Sequence, residues 1–239
     1  MRESIHCIFR STIGKNAVHI RFYDCRVFKR TSNFIDSVDN SYTMQMILST
    51  IYLQEAFMYF EKPGKVNTEE TLKLAYDRGK SLGLNEVVVA STKGDTACKA
   101  LEIFKGFNIV SVTYYCGFKE PFKKVMSDDV KKDLERQGVT VVSATHALSG
   151  VERSLAKRYS GSYPVLLVAD TLRLFGQGTK VAVEISIMAA DAGTLTGNDI
   201  ISIGGSSRGA DTALVLKPAN QSDLFDMRVR EIVCKPRDF

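Results

Sequence analysis

Glu86-Val-Val-Val-Ala-Ser-Thr-Lys-Gly-Asp-Thr-Ala-Cys-Lys-Ala-Leu-Glu-Ile-Phe104 reads as a short apolar strand, a hydroxyl-rich turn with one glycine, and then a helix. The run Val87, Val88, Val89 and Ala90 shows no polar alternation, as expected of a strand buried on both faces in a parallel sheet. The turn Ser91-Thr92-Lys93-Gly94-Asp95-Thr96 brings hydroxyls, backbone N–H groups and a lysine to the start of a helix. Unpaired N–H groups and the helix dipole favour an anion at such a point. Two readings fit the turn taken alone: a phosphate cradle, or a plain helix cap supplied by Ser91, Thr92 or Asp95.

The same alternation continues on either side. Upstream, Asn67 followed by Glu70 resembles a capping box. It opens a helix with Leu72, Ala75, Tyr76 and Leu82 on one face and Gly83 at its end. Downstream, strands are predicted over 108–114 and 139–143, with a charged helix over 128–137 between them that Ser127 caps. Helices over 148–158 and 165–175 follow, then a long apolar helix from a Thr179 cap to Ala192. The chain returns to strands over 199–203, 213–216 and 229–234, the last two alternating more and suggesting an antiparallel edge. Repeated β–α units of this kind indicate an α/β layered fold.

Residues 1–57 differ in character: they hold no proline and a single glycine, Gly14. A strand from His19 to Tyr23 and a helix over 43–57 can be drawn, but no regular βα alternation. One explanation is an extension that packs on the body or stays mobile. The other is translation starting at Met58, with the preceding residues being upstream sequence read in frame. The second is preferred, and divides the chain into 1–57 and a domain over 58–239.

With 239 residues, 44% hydrophobic and 25% charged, the composition is that of a globular chain and argues against wholesale disorder. The net charge of +5 comes without a lysine or arginine block, so no nucleic-acid partner is expected. The five cysteines, Cys7, Cys25, Cys98, Cys116 and Cys234, form no C-x-x-C pair. That spacing suggests neither a disulfide framework nor a zinc site, and a reducing, cytoplasmic setting is the simplest reading. The most apolar window, 44–60, carries Gln45, Gln54 and Glu55 and is too short and polar to span a bilayer. No membrane partner is expected, and homo-oligomerisation is left open.

Familiar nucleotide motifs are missing. Gly204-Gly-Ser-Ser-Arg-Gly209 has the glycine spacing of a P-loop, but Ala210-Asp211 stand where its lysine and hydroxyl residue belong. Two readings of this segment stay even: a second wall of the pocket, with Gly204, Gly205 and Arg208 at the ligand, or a tight hairpin with Arg208 paired to Asp211. Thr145 and His146 follow the strand over 139–143, at the same end of the sheet. His146 suits a ligand contact or a proton donor, and equally a cap or a packed residue. Glu184 and Asp191 share a face of the long apolar helix. Asp191 is expected at the solvent side; Glu184 is expected to find a buried partner, with Arg153 and Arg208 as candidates. His146 and Glu184 are the weak catalytic candidates. No metal cluster has ligand spacing.

Val88-Val-Ala-Ser-Thr-Lys-Gly-Asp-Thr-Ala97 resembles the strand–loop–helix of the pyruvate kinase C-terminal domain, where a Thr/Ser-rich loop cradles a phosphate of a sugar-bisphosphate effector. Further segments look like the stand-alone pyruvate kinase C-terminal-domain-like proteins of archaea and bacteria. They are Tyr59-Phe-Glu-Lys-Pro-Gly64, Asn67-Thr-Glu-Glu-Thr-Leu72, His146-Ala-Leu-Ser-Gly-Val-Glu-Arg-Ser154, Val183-Glu-Ile-Ser-Ile-Met-Ala-Ala-Asp191 and Gly205-Ser-Ser-Arg-Gly-Ala-Asp-Thr-Ala213. The resemblance covers 58–239. It implies a three-layer α/β/α sandwich with a mixed, mostly parallel sheet of about five strands, one of them antiparallel. It also implies that FMN can be held, its phosphate at Ser91, Thr92, Lys93, Gly94, Asp95 and Thr96. One departure is Asp95, where effector loops usually carry arginine; it weakens the sugar-bisphosphate reading. The chain has no room or motifs for the catalytic barrel, so pyruvate kinase activity is expected to be absent. The expected function is binding of a phosphorylated small molecule, most simply FMN; the alternatives are a flavin-dependent oxidoreductase and a metabolite-sensing regulatory subunit. Thr96→Val and Gly94→Val are each expected to weaken binding and leave the fold intact.

Overall fold

The computed structural model describes residues 58–239 and, before them, the backbone of two strands, β1 (Ser11–Gly14) and β2 (Ala17–Ile20). The chain separates into two units, Met1–Gln54 and Glu55–Phe239. In the first, β1 and β2 pair antiparallel with Ser11 opposite Ile20 and Gly14 opposite Ala17. The strand predicted from His19 overlaps β2 at His19 and Ile20; its remainder and the helix predicted over 43–57 lie outside the described residues.

The second unit is built on one open sheet. Its strands are β3 (Met58–Phe60), β4 (Glu86–Ala90), β5 (Asn108–Thr113), β6 (Thr140–Ser143), β7 (Ile200–Gly204), β8 (Thr212–Lys217) and β9 (Arg228–Pro236), in the order β3-β9-β8-β7-β4-β5-β6. Neighbours pair in parallel except on either side of β8, which alone runs against the other six. The single antiparallel strand is as the resemblance implied, but the sheet has seven strands instead of about five. The expected antiparallel edge is also corrected: β8 is interior and buried along nearly its whole length, and β3, unforeseen in the sequence, covers β9.

Helices cover both faces. On one face lie α1 (Thr68–Ser81), α2 (Asp95–Ile103) and α3 (Asp128–Arg136), contributing Leu72, Ala97, Ala100 and Leu134 to a core that includes Val87 and Val89. On the other lie α5 (Pro164–Arg173) and α6 (Gln177–Asp191), whose Ala169, Ala182, Ile185 and Met188 pack with Val88. Alternate residues of β4 thus serve opposite cores, which is why its sequence shows no polar alternation. Each such buried valine contributes about 1.5–3 kcal/mol relative to exposure. The short α4 (Glu152–Arg158) buries no residue. Among the described residues no helix is long and apolar enough to cross a membrane.

Three local expectations change. Asn67 does not cap α1; its side-chain amide donates to the Lys62 carbonyl (2.7 Å). Thr179 lies inside α6 and its hydroxyl donates to the Phe175 carbonyl (3.0 Å), while Gly176 stands at the cap. The helix predicted over 148–158 starts only at Glu152, because Gly150, at φ +42°, interrupts the turn that begins at the His146 carbonyl. Ser127 does cap α3, its hydroxyl accepting from the Val130 N–H (3.4 Å).

Candidate functional site

β4 and β7 are neighbours, with Val89 opposite Ile203, yet the chain leaves them in opposite directions. From β4 it winds through β5 to β6; from β7 it goes to β8 and β9. A parallel sheet opens a crevice at such a switch point, beyond the carboxyl ends of its strands. Here that crevice is a cavity of about 750 Å³, within the range of small-molecule sites.

The turn after β4 forms one wall. Gly94 stands before α2 in the left-handed conformation and offers no side-chain cap. The Ser91 hydroxyl accepts from the Ala97 N–H (3.2 Å), so Ser91 is a cap after all, supplied from outside the helix. The backbone N–H groups of Thr92, Lys93, Gly94, Asp95 and Thr96 donate to no group among the described residues. The Thr96 and Thr92 side chains line the cavity beside them, and Thr96 is 5% exposed. Around this end stand Lys65, Lys93, Lys99 and Arg208, none of which has an ion pair among the described residues.

The loop over 205–209 is the facing wall, and it is pinned from behind. The buried Asp211 carboxylate accepts from the Gly64 N–H (2.8 Å), the Ser206 N–H (3.1 Å) and the Thr212 hydroxyl (2.9 Å). The Ala210 N–H donates to the Thr68 hydroxyl (3.1 Å). Arg208 therefore does not pair with Asp211 and is exposed at the cavity mouth. The Ser206 hydroxyl oxygen is buried without a partner among the described residues.

Farther along the sheet edge, Tyr114 and Phe118 line the cavity with His146. The His146 ring meets Phe118 at 4.8 Å and Tyr114 at 5.4 Å, both edge-on, and Arg153 lies over Phe118 at 5.2 Å. The His146 Nδ1 is buried without a partner among the described residues. Burial pushes its imidazole below the usual histidine value of 6.5, with Glu184 opposing and Lys180 and Arg153 reinforcing the shift.

Glu184 has a buried partner, but neither Arg153 nor Arg208. Its Oε2 lies 2.5 Å from the Lys180 Nζ, one helical turn earlier, and its Oε1 accepts from the Leu148 N–H (3.0 Å). Both side chains are nearly inaccessible, Lys180 at 7% and Glu184 at 4%, and both line the cavity. Burial pushes Lys180 below the usual lysine value, and Glu184 opposes this. Asp191 is at the exposed end of α6 as expected, accepting from the Asn220 amide (3.0 Å) and the Gln221 N–H (3.1 Å).

The predicted site residues Ser91, Thr92, Lys93, Asp95, Thr96, His146, Glu184, Gly205 and Arg208 come together around one cavity. Thr145, Gly94 and Gly204 do not line it. Thr145 is exposed. Gly94 has φ +105°, and a Cβ there would stand 2.5 Å from the Val130 Cγ1, so Gly94→Val would disturb the packing of α3 and not binding alone. A Cβ on Gly204 would meet the Gly178 carbonyl oxygen at 2.2 Å; this glycine lets α6 approach β7. Sequence reasoning missed Lys180, Tyr114 and Phe118, named Arg153 only as a partner for Glu184, and took the loop with Ser206 as a wall without singling out that hydroxyl. Lys180 alone carried a visible signal: a lysine four residues before a glutamate on an otherwise apolar helix. Among the described residues no group of three or more His, Cys, Asp or Glu could hold a metal ion.

Among solved structures the chain is similar to a pyruvate kinase from Cryptosporidium parvum, 13% identical with a TM-score of 0.33, over 75% of this chain and 27% of that one. It is also similar to a Cryptosporidium parvum pyruvate kinase in complex with ADP, 12% identical with a TM-score of 0.32, over 73% and 25%. The chain thus spans about a quarter of the length of these enzymes. The family model described as pyruvate kinase, alpha/beta domain, matches residues 69–216, more than half of the chain. The chain therefore belongs to the pyruvate kinase alpha/beta domain family.

Proposed function

We propose that the cavity binds a phosphate-bearing small molecule, FMN in particular, with the phosphate at the turn over 92–96. The observation that carries this reading is the run of backbone N–H groups from Thr92 to Thr96 that find no partner among the described residues. They sit at the start of α2, where the dipole adds to their attraction for an oxyanion. The orphaned Ser206 hydroxyl and His146 Nδ1 support a polar ligand, since buried polar atoms are ordinarily paired. Tyr114 and Phe118 suit a flat ring such as that of a flavin. When bound, FMN would supply hydride or single-electron chemistry. The residues of this chain hold the phosphate, exclude water and present His146 at the ring end.

The unpaired Nδ1 of His146 favours a second reading, a flavin-dependent oxidoreductase in which His146 holds or moves a proton at that atom. Pyruvate kinase activity forms no part of the proposal; the described sheet is open, with edges at β3 and β6, and closes no barrel. The setting that goes with this reading is cytoplasmic. The test is spectroscopic and thermal. Purified protein should carry the visible absorption of oxidised flavin, or its melting temperature should rise on addition of FMN and, less, of inorganic phosphate. Colourless protein whose melting ignores both additions would reject the reading. Bleaching of a bound flavin by a nicotinamide dinucleotide would favour the oxidoreductase.

A further inference from the structure

The cavity has two chemically different ends, the turn over 92–96 and the buried pair of Lys180 and Glu184. Lys180 is 5% exposed and lines the cavity, yet its ammonium makes one hydrogen bond among the described residues, to the Glu184 Oε2. An ammonium carries three N–H donors, so two have no partner among the described residues, in a place nearly closed to water. Glu184, in contrast, is used on both oxygens, by Lys180 and by the Leu148 N–H, which fixes its orientation. A buried lysine–glutamate pair of this kind adds little stability over apolar side chains of similar size. Its place on the wall of a cavity points to a ligand. Leu148, Leu166, Val181 and Ile185 line the same cavity, and Tyr114 and Phe118, stacked on each other at 4.1 Å with His146 edge-on to both, give it an aromatic wall suited to a flat system.

We propose that Lys180 determines which ring the cavity accepts: a phosphorylated heterocycle whose edge carries hydrogen-bond acceptors such as carbonyl oxygens, as the flavin pyrimidine edge does. This rests on the phosphate reading above and adds the second recognition element to it. Lysine only donates, so an acceptor edge satisfies its unused hydrogens, whereas an edge of donors leaves them buried and unpaired. Glu184 is the positioning residue that holds the ammonium in place. Burial, which holds the Lys180 pKa below the usual lysine value, agrees with a site from which water is largely excluded.

The test compares FMN and inorganic phosphate by calorimetric titration against the wild type, Lys180→Met and Lys180→Met/Glu184→Gln. The double variant removes the buried unpaired carboxylate that could unfold the single one and keeps an acceptor for the Leu148 N–H. In the folded double variant FMN binding should weaken about tenfold or more while phosphate binding stays unchanged. FMN affinity equal to wild type overturns the inference, and so does an equal loss for phosphate, which would mark the pair as structural. A wild type that binds phosphate but not FMN overturns the inference and leaves the phosphate reading standing. A wild type that binds neither overturns both.

Discussion

The Gly64 backbone N–H donates to the Asp211 carboxylate at 2.8 Å, joining residues 147 positions apart. The same carboxylate holds Ser206 and Thr212, so one buried side chain fixes the wall of the cavity to the turn that precedes α1. Asp211→Ala would leave two backbone N–H groups and a hydroxyl without their acceptor. The expected loss of stability is about 2–4 kcal/mol, read by urea unfolding, with Asp211→Asn losing less because it keeps one oxygen. An Asp211→Ala protein as stable as wild type would show that these bonds do not form.

Thr96→Val removes a hydroxyl from the cavity wall without changing the shape of the turn. Inorganic phosphate binding should weaken by about 1.5–3 kcal/mol, measured by calorimetry, with the melting temperature little changed. Gly94→Val has the opposite character. The side chain collides with Val130 and strains a left-handed residue, so the protein should be destabilised even without ligand.

Arg78 on α1 clasps Glu231 on β9 with two bonds of 2.7 Å. The hydrogen bond to Arg78 holds the Glu231 carboxyl below its usual value of 4.5 despite partial burial. A carboxyl depressed in the folded state contributes stability that is present above 4.5 and lost as the pH falls through its folded value. Because the pair is partly exposed and screened, the contribution is about 0.5–1 kcal/mol. Glu231→Gln should lower stability at neutral pH and match wild type at low pH, where both are uncharged, as followed by chemical denaturation across the acid range.

His146 gives a pH dependence of its own. With its folded value below 6.5, the unfolded chain takes up a proton first as the pH falls, so stability is lost from about 6.5 downward until the folded value is reached. His146→Asn should lack this step, seen as a difference between the two stability profiles. Identical profiles would show that the ring is not desolvated.

Cys234, on β9 opposite Met58, is buried, and desolvation pushes its thiol up to about 12. It should resist thiol reagents at neutral pH while the exposed Cys98 and Cys116 are labelled, as mapped by peptide mass spectrometry. Labelling of Cys234 in the folded protein would contradict the placement of β9.

The strands were legible because their pattern is local. Val87 to Val89, and Ile200, Ile201 and Ile203, put apolar side chains into both cores, and the order of the βα units follows. The three residues of β3 were not, since so short an edge strand is defined only by its partner β9. Caps were read less well: Asn67 and Thr179 have the right chemistry, but Lys62 and Phe175 offered their side chains carbonyl partners instead. At the site, the turn after β4 was legible from its hydroxyls and glycine. The Lys180–Glu184 spacing is visible in the sequence, but its place at the site is not, because that depends on Leu148 and the loop after β6, which reach Glu184 only in the folded chain. One of the two even readings of the loop pairs Arg208 with Asp211 on sequence proximity, whereas Asp211 serves Gly64, far away in the chain.

The most direct test of the phosphate claim is a calorimetric comparison of FMN with riboflavin, which has the same ring and no phosphate, against wild type and Thr96→Val. FMN should bind wild type more tightly than riboflavin by about tenfold to a hundredfold, and the gap should shrink in Thr96→Val. Equal affinity for the two compounds would contradict a phosphate site at the start of α2, and no binding of either would contradict FMN as its ligand.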